Sequence, residues 1–253
     1  MMQERFLLLE GSDVVQGVTE LVQIVKEGIK GIDPTLTGLE LSELHTKLTI
    51  SRVNAIRMAG FKHLNASPGQ YDSVLDKIAG DQLRDILGPD LLVQTKLNLS
   101  IQIPGDEGSQ LDLHSDCWSG DTPFQVNLWI PLTPCFASNS MFLLPEESSI
   151  NCIRLINENP TLDKTALSSF VTNTDFLEIS RGQAIIFNPG LIHGNIPNRT
   201  NQTRVSINIR FKNAFSPDAS ASHVSRSAGV YYRKFRFSEW TELALRLKQV
   251  NEV

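Results

Sequence analysis

No stretch of this sequence is apolar for long enough to span a bilayer. The run nearest the N-terminus, Phe6–Leu9, is four residues, too short for the apolar heart of a secretory signal. Cysteine is scarce as well: Cys117, Cys135 and Cys152 form an odd set with no Cys-x-x-Cys spacing. That gives no disulfide framework and suits a reduced, cytoplasmic protein. Without secretion, the Asn-x-Ser/Thr tripeptides at Asn65, Asn98, Asn198 and Asn201 carry little meaning. Positive charge is in deficit, 23 Lys and Arg against 28 Asp and Glu for a net charge of −5, which argues against a broadly cationic nucleic-acid surface. Internal repeats, low-complexity tracts and a convincing linker are also missing. A Gly-x-Ser-x-Gly elbow is absent too, which leaves a hydrolase reading unsupported.

What is present is enough for one well-filled domain: 253 residues, 41% hydrophobic and 20% charged. Residues 1–90 read mainly as helices that brace a sheet. Val14, Val15, Val18, Leu21, Val22, Val25 and Ile29 fall on one stripe at helical spacing after a capping Ser12-Asp13. Leu39–Ala59 and Tyr71–Leu87 continue the pattern up to Gly88-Pro89. From residue 91 the segments become short, β-branched and alternating. They run Leu97–Ile103, Leu111–Ser115, Phe124–Leu132, Ser140–Leu144, Ile150–Ile156, Phe176–Ile179, Gln183–Phe187, Leu191–Gly194 and Thr203–Phe211. Short strands with regular turns suggest an all-β sandwich or barrel rather than βαβ units. The polar stretch 217–229 suits either a lid or a plain surface loop. A last helix capped by Ser238 carries Trp240, Leu243, Leu247 and Val250, beside a solvated edge of Arg233, Lys234 and Arg236.

The chemistry gathers around Leu-Asp-Leu-His114-Ser-Asp116. On a strand, residues two apart share a face, so His114 and Asp116 project together. Asp112 shares that face, and the spacing alone leaves Asp112-x-His114 open beside His114-x-Asp116. Two imidazoles and one carboxylate can cap one face of a metal ion and leave the other free for small ligands, as in non-haem Fe(II) oxygenases. His193, in Phe-Asn-Pro-Gly-Leu-Ile-His-Gly, is the candidate second imidazole, brought across by a sheet folded upon itself. His45 and His63 lack an acidic or histidine partner three or four residues away and read as structural. His223, in the polar stretch, reads first as a surface residue and only second as one that approaches a substrate. Cys117 reads as a bystander thiol, and Ser115, between two candidate ligands, as a poor nucleophile.

Eleven residues after His193 stands Arg204, followed on the same strand face by Ser206. A guanidinium fork pairs bidentately with a carboxylate and a hydroxyl adds a bond, which beside a metal suits a diacid held at both ends. An exposed alternating strand would account for Arg204 alone; its nearness to His193 favours the carboxylate role. Arg210, farther along that face, is a candidate for a substrate's anionic part.

Taken together these segments resemble the Fe(II)/2-oxoglutarate-dependent dioxygenases of the phytanoyl-CoA dioxygenase-like superfamily, over roughly residues 91–213. The resemblance selects His114, Asp116 and His193 as the metal ligands and Arg204, in Thr-Arg-Val-Ser-Ile-Asn-Ile-Arg-Phe, as the co-substrate arginine. It places Trp129 and Asn127, in Gln-Val-Asn-Leu-Trp-Ile-Pro-Leu, near the co-substrate. It adds polar contacts from Asn98 and, closer to the metal motif, Gln102. It further implies a double-stranded β-helix (jelly-roll, cupin-like) core over 91–213, braced by helices in 1–90 and followed by a loop and C-terminal helix in 214–253, all one domain. Fe(II), 2-oxoglutarate and O2 are the implied cofactors and co-substrates. The chain departs from the family pattern at Asn139-Ser-Met-Phe-Leu-Leu-Pro, where relatives carry an Asn-Gly turn, which leaves the substrate side open. Halogenating relatives lack a carboxylate at the Asp116 position, so its presence points to hydroxylation or a related oxidation. Trp-Ser-Gly-Asp-Thr-Pro-Phe after Asp116 also looks like oxygenases of antibiotic and surface-sugar biosynthesis. The expectation is therefore a hydroxylase of a small polar metabolite such as a sugar or nucleotide-sugar, without nucleic-acid or membrane partners and of open oligomeric state. The alternative is a metal-binding jelly roll that serves as a sensor or scaffold without turnover.

Overall fold

A computed structural model describes residues 5–159, 161–162, 167, 169–218 and 227–250. The chain folds as a mainly antiparallel β structure with several helices, three of which pack on one face of the major sheet. Its strands are β1 (Leu7–Leu9), β2 (Leu91–Gln94), β3 (Asn98–Gln102), β4 (Gln125–Pro131), β5 (Phe142–Leu143), β6 (Ala184–Phe187), β7 (His193–Gly194), β8 (Arg204–Asn213) and β9 (Tyr232–Arg236). The helices are α1 (Ser12–Lys30), α2 (Ile50–Leu64), α3 (Asp72–Leu87), α4 (Glu146–Glu158) and α5 (Glu239–Val250). Seven strands form the major sheet in the order β1-β6-β4-β8-β2-β9, with β3 also paired to β8. The minor sheet is β5-β7, extended by isolated bridges such as Phe142–Phe176 and Cys135–Ile179. Two sheets closing over one another make the expected double-stranded β-helix.

Strand β8 shows why the layers form. Its period of two sends Val205, Ile207, Ile209 and Phe211 into the core beneath the helices, all fully buried. Arg204, Ser206, Asn208 and Arg210 occupy the alternate positions, on the inner face between the sheets. Its neighbours obey the same alternation: Leu99 and Ile101 of β3, and Leu128 and Ile130 of β4, join the helix-side core. The apolar stripe of α1 completes that core with Val14, Val18, Leu21, Val22, Val25 and Ile29, whereas Val15 is half exposed. At the α1–α2 crossing a side chain on Gly28 would meet Cβ of His63 at 2.6 Å, so only glycine allows this approach. A second cluster (Trp129, Met141, Leu143, Ile185 and Phe187 among others) packs between the sheets at one end.

Several expectations need correction. Ile150–Ile156 is not a strand but part of α4; Pro145 precedes it, Glu146 and Glu147 occupy its first turn, and Ser149 and Cys152, three apart, face inward. Leu39–Ala59 is not one helix. A 3₁₀ turn (Leu41–Thr46) comes first because this segment docks on the loop before β8: Thr203 N donates to Ser42 O and His45 N to Thr203 Oγ1. Gly11 rather than Ser12 precedes α1 as its cap position, without a side-chain bond, whereas Ser238 Oγ does accept from Thr241 N before α5. Strands β1, β2 and β9 were not expected. The supposed solvated edge lies on β9, where Arg233 and Arg236 pair with Asp72 and Asp76 of α3. Of the stretch 217–229, residues 219–226, with His223, lie outside the described residues. Asp218 pairs with Lys212 and accepts from Ala228 N. Among the described residues no helix is long and apolar enough to cross a membrane.

Candidate metal and oxoacid site

The backbone brings the two histidines together. His114 N donates to His193 O and His193 N to His114 O, both at 2.9 Å, an isolated antiparallel bridge beside β7. The imidazoles stand 4.3 Å apart between centroids. Asp116 does not continue a strand. It opens a 3₁₀ turn (Asp116–Ser119) that Ser115 caps and that Gly120 ends with φ 90°, a left-handed conformation glycine adopts without cost. The turn, not strand alternation, swings the carboxylate back towards the histidines. One potential ligand atom each from His114, Asp116 and His193 lies within 4.8 Å of the others, the one such group of three among the described residues. Asp112 stays out: its carbonyl accepts from His114 Nδ1 at 2.7 Å, and its carboxylate accepts from Gln110. The close group is therefore His114, Asp116 and His193, without Asp112. Ser115 is buried and donates to Pro189 O, and Cys117 stands outside the cluster.

Both rings are oriented in the same way. Nδ1 of His114 donates to Asp112 O, and Nδ1 of His193 to Leu191 O at 2.9 Å. In the neutral ring this tautomer leaves Nε2 as the unprotonated nitrogen, the form a metal ion requires. Burial and the neighbouring His114 pull His193 down to about 4, so it is neutral at physiological pH. Burial alone would raise Asp116, but Arg210, His193 and the Asn127 amide outweigh it and hold the carboxyl below its ordinary range. His193 is thus neutral and Asp116 ionised, the states in which such groups can hold a cation.

The low value of His193 sets a pH dependence. In the unfolded chain its imidazole titrates near about 6.5, whereas in the fold it titrates at about 4. Between these values the unfolded chain takes up a proton that the folded one refuses, so stability is lost as pH falls through this window. Metal-free protein is expected to melt at lower temperature at pH 5 than at pH 7, and His193→Gln to lose part of that slope. Equal slopes in the two proteins would refute the assignment.

A cavity of about 230 Å³ joins the cluster to the inner face of β8, lined by His114, Asp116 and His193 and by Arg204, Ser206 and Asn208 among others. Trp129, Met141 and Phe187 give it an apolar wall, with Phe187 edge-on to His193 at 5.2 Å. A larger groove of about 580 Å³, lined by Gln110, Asp112, Leu113 and Phe142 among others, contains none of the three clustered groups.

Arg204 is buried yet underused. Among the described residues its one hydrogen bond is Nη2 to Ser100 Oγ at 3.3 Å, its Nε has no partner, and no carboxylate pairs with it. Burial lowers its basicity, as expected of a cation without a counter-charge. Ser206 lies two residues on, on the cavity wall. Gln102 pairs with Arg204 across β3–β8, donates to Ile196 O and leaves Oε1 unbonded. Asn98 is exposed at the cavity rim, and Trp129 is buried against it. Asn127 differs from expectation: its amide donates to Asp116 Oδ2 at 2.5 Å, and it does not line the cavity. Arg210 differs too, because carboxylates on its own chain occupy it: Asp116 at 2.8 Å and Asp121 at 2.7 Å. It is therefore not open to a substrate anion. Sequence reasoning missed Ser100 and Asn208, which the period of two on β3 and β8 would have found. It also missed Asp121, for which a turn offers no periodic signal.

Two imidazoles and a carboxylate converging inside a jelly roll, with a buried and unpaired arginine across the same cavity, define an oxygenase of the Fe(II)/2-oxoglutarate type. The chain belongs to the phytanoyl-CoA dioxygenase (PhyH) family, whose model matches residues 49–206. Its fold is similar to that of the non-haem monooxygenase ThoJ in its apo form, at 16% identity and TM-score 0.54 over 93% of this chain and 81% of that one. The ThoJ–nickel complex matches at 16% identity and TM-score 0.54 over 98% and 96%. AviO1 from Streptomyces viridochromogenes Tue57 matches at 14% identity and TM-score 0.50 over 86% and 94%. No curated protein matches in sequence.

Proposed function

We propose that this enzyme hydroxylates a small polar metabolite, a sugar or nucleotide-sugar being the leading class, at an iron held by His114, Asp116 and His193. In this reading the distal carboxylate of 2-oxoglutarate meets Arg204 and Ser206. The observation that carries it is Arg204: a buried guanidinium with an unbonded Nε, on the cavity that the three ligand candidates also line. A buried charge without a partner costs several kcal/mol, roughly, unless a ligand completes it.

The donor set fits the metal. Two imidazole nitrogens and one carboxylate oxygen on one side suit Fe(II) and leave positions for a chelating oxoacid and for oxygen. Iron with 2-oxoglutarate supplies oxygen activation coupled to decarboxylation of the oxoacid to succinate. The residues of the chain supply the rest. Asp112 O and Leu191 O fix the two imidazole tautomers, and Asn127 and Arg210 fix the carboxylate. Arg204, with Ser206 on the same cavity wall, selects a diacid of one length. Trp129, Met141 and Phe187 keep the oxidising centre dry, which strengthens the electrostatics within and protects against side reactions. The helical part, the jelly roll and the C-terminal segment act as one domain, and three free cysteines suit a reducing, cytoplasmic setting.

An anaerobic crystal soaked with Fe(II) and 2-oxoglutarate tests the reading, and Ni(II), the ion present in the ThoJ complex, is a redox-silent substitute. Density should join the three side chains to one ion, with a diacid ending at Arg204. A metal bound elsewhere, or Arg204 left facing solvent, would overturn it. Oxygen-dependent succinate formation across a panel of sugars and nucleotide-sugars then identifies the substrate. A protein that holds metal but never forms succinate would be a scaffold instead.

A further inference from the structure

Asp116 sits in a short turn, where nothing in a strand's geometry fixes its carboxylate. Two donors do so instead. Asn127 of β4 and Arg210 of β8 are directly opposed in the strand register. Asn127 donates to Oδ2 of Asp116 at 2.5 Å, and Arg210 Nη2 donates to Oδ1 at 2.8 Å. Oδ1 is also the oxygen that faces His114 Nε2, at 3.8 Å. Arg210 continues to a second carboxylate: its Nε lies 2.7 Å from Oδ2 of Asp121, and its Nη1 donates to Gln94 Oε1 at 3.3 Å. Asp116, Asp121 and Arg210 are all buried, and Asp121 N donates back to Asp116 O, so one turn presents both carboxylates to one guanidinium.

We propose that Arg210 is the positioning residue of the metal-binding carboxylate and that Asp121 restores the negative charge that Arg210 would otherwise cancel. The inference rests on the reading of His114, Asp116 and His193 as metal ligands. Charge counting is the core of it. A guanidinium bonded to Asp116 alone would make a neutral pair and a poor anionic ligand. With Asp121 on its other edge the trio carries one net negative charge, and the cation meets a carboxylate that is both immobilised and still anionic. Only arginine spans two carboxylates in this way, since its rigid fork presents separate edges whereas lysine offers one point. Arg204 and Arg210 on one strand face therefore have opposite roles: the first is left open for a ligand, the second is closed by the protein. Outer partners of this kind orient ligands and tune the metal.

The test is Co(II) binding to full-length protein, followed by calorimetry and by the visible absorption of the bound ion, for wild type and for Arg210→Ala, Arg210→Lys, Asp121→Asn and His114→Ala. Arg210→Ala is expected to weaken Co(II) by about 10–100-fold and to alter its spectrum, and Arg210→Lys to recover part of the loss. Asp121→Asn leaves the Arg210–Asp116 bond in place, yet is expected to weaken Co(II) because the remaining pair is neutral. If Arg210 and Asp121 only supported the fold, their variants would melt earlier while the folded protein kept wild-type affinity and spectrum. That result would overturn the inference alone. A wild type that binds no Co(II), or whose binding survives His114→Ala, would overturn the metal-site reading and this inference with it.

Discussion

Asp116→Ala is expected to remove tight Fe(II) or Co(II) binding and to bring succinate formation down to the uncatalysed background. The loss should exceed the roughly 10–100-fold that follows removal of partners one bond away from a metal. Two effects act in the same direction. The variant deletes the one anionic donor of a three-residue set. It also frees the Nη2 edge of Arg210 from its 2.8 Å bond to Asp116, so that the positive end of the remaining Arg210–Asp121 pair faces the space where a cation must sit. His114→Ala and His193→Ala each delete a neutral donor and introduce no repulsion, so they should cost less than Asp116→Ala. Asp116→Asn, which keeps the shape and an acceptor for Arg210, should fall between. The fold ought to survive, because Asp121 remains to neutralise Arg210, and circular dichroism and thermal melts separate misfolding from ligand loss. Wild-type metal affinity in Asp116→Ala would show that the ion sits elsewhere.

How much of this could be read in the chain beforehand differs sharply from element to element. The inner face of β8 was legible because strand period is two: Arg204, Ser206 and Arg210 had to share a side whatever the tertiary structure. The convergence of His114 and His193 was legible as a demand of metal-ligand chemistry, which the family resemblance then selected, but nothing local in either segment encodes the mutual backbone bridge that joins them. Asp116 reached the expected place by an unexpected route. Its neighbours Ser115 and Gly120 cap a 3₁₀ turn, and capping chemistry in a four-residue element is easily missed beside a strand-like run. Arg210 exposes the limit of face assignment. Period two put it on the site face correctly, but only the fold supplies Asp121, which converts a candidate substrate anchor into a buried ion triad. Segment 150–156 failed for a related reason: short apolar runs do not declare helix or strand by periodicity alone, and the deciding cues were Pro145 and the two glutamates after it.

Arg204→Met should separate binding from stability in a way that a structural arginine could not. With 2-oxoglutarate bound, the variant lacks one half of a buried charge pair. Truncating such a pair costs about 2–5 kcal/mol, a rise in the dissociation constant or KM for 2-oxoglutarate of roughly 30-fold to several thousand-fold. Without 2-oxoglutarate the sign reverses. Arg204 is then a desolvated cation whose one bond is to Ser100 and whose Nε is unpaired. Exchanging it for an apolar side chain of similar length removes that penalty, so the apo variant is expected to melt at the wild-type temperature or above it, as sites strained for function commonly do. Metal affinity without 2-oxoglutarate should stay at wild type, since no bond links Arg204 to the three ligand candidates. Arg204→Lys keeps the charge but loses the fork, and should recover only part of the affinity. A cycle with a 2-oxoacid that lacks the distal carboxylate completes the case. Wild type should prefer 2-oxoglutarate strongly, and Arg204→Met should treat the two acids nearly alike, because the coupling between guanidinium and distal carboxylate has gone. Should the variant lose stability and metal affinity together while keeping its preference for the diacid, Arg204 would be a structural residue and the co-substrate would have to be held elsewhere.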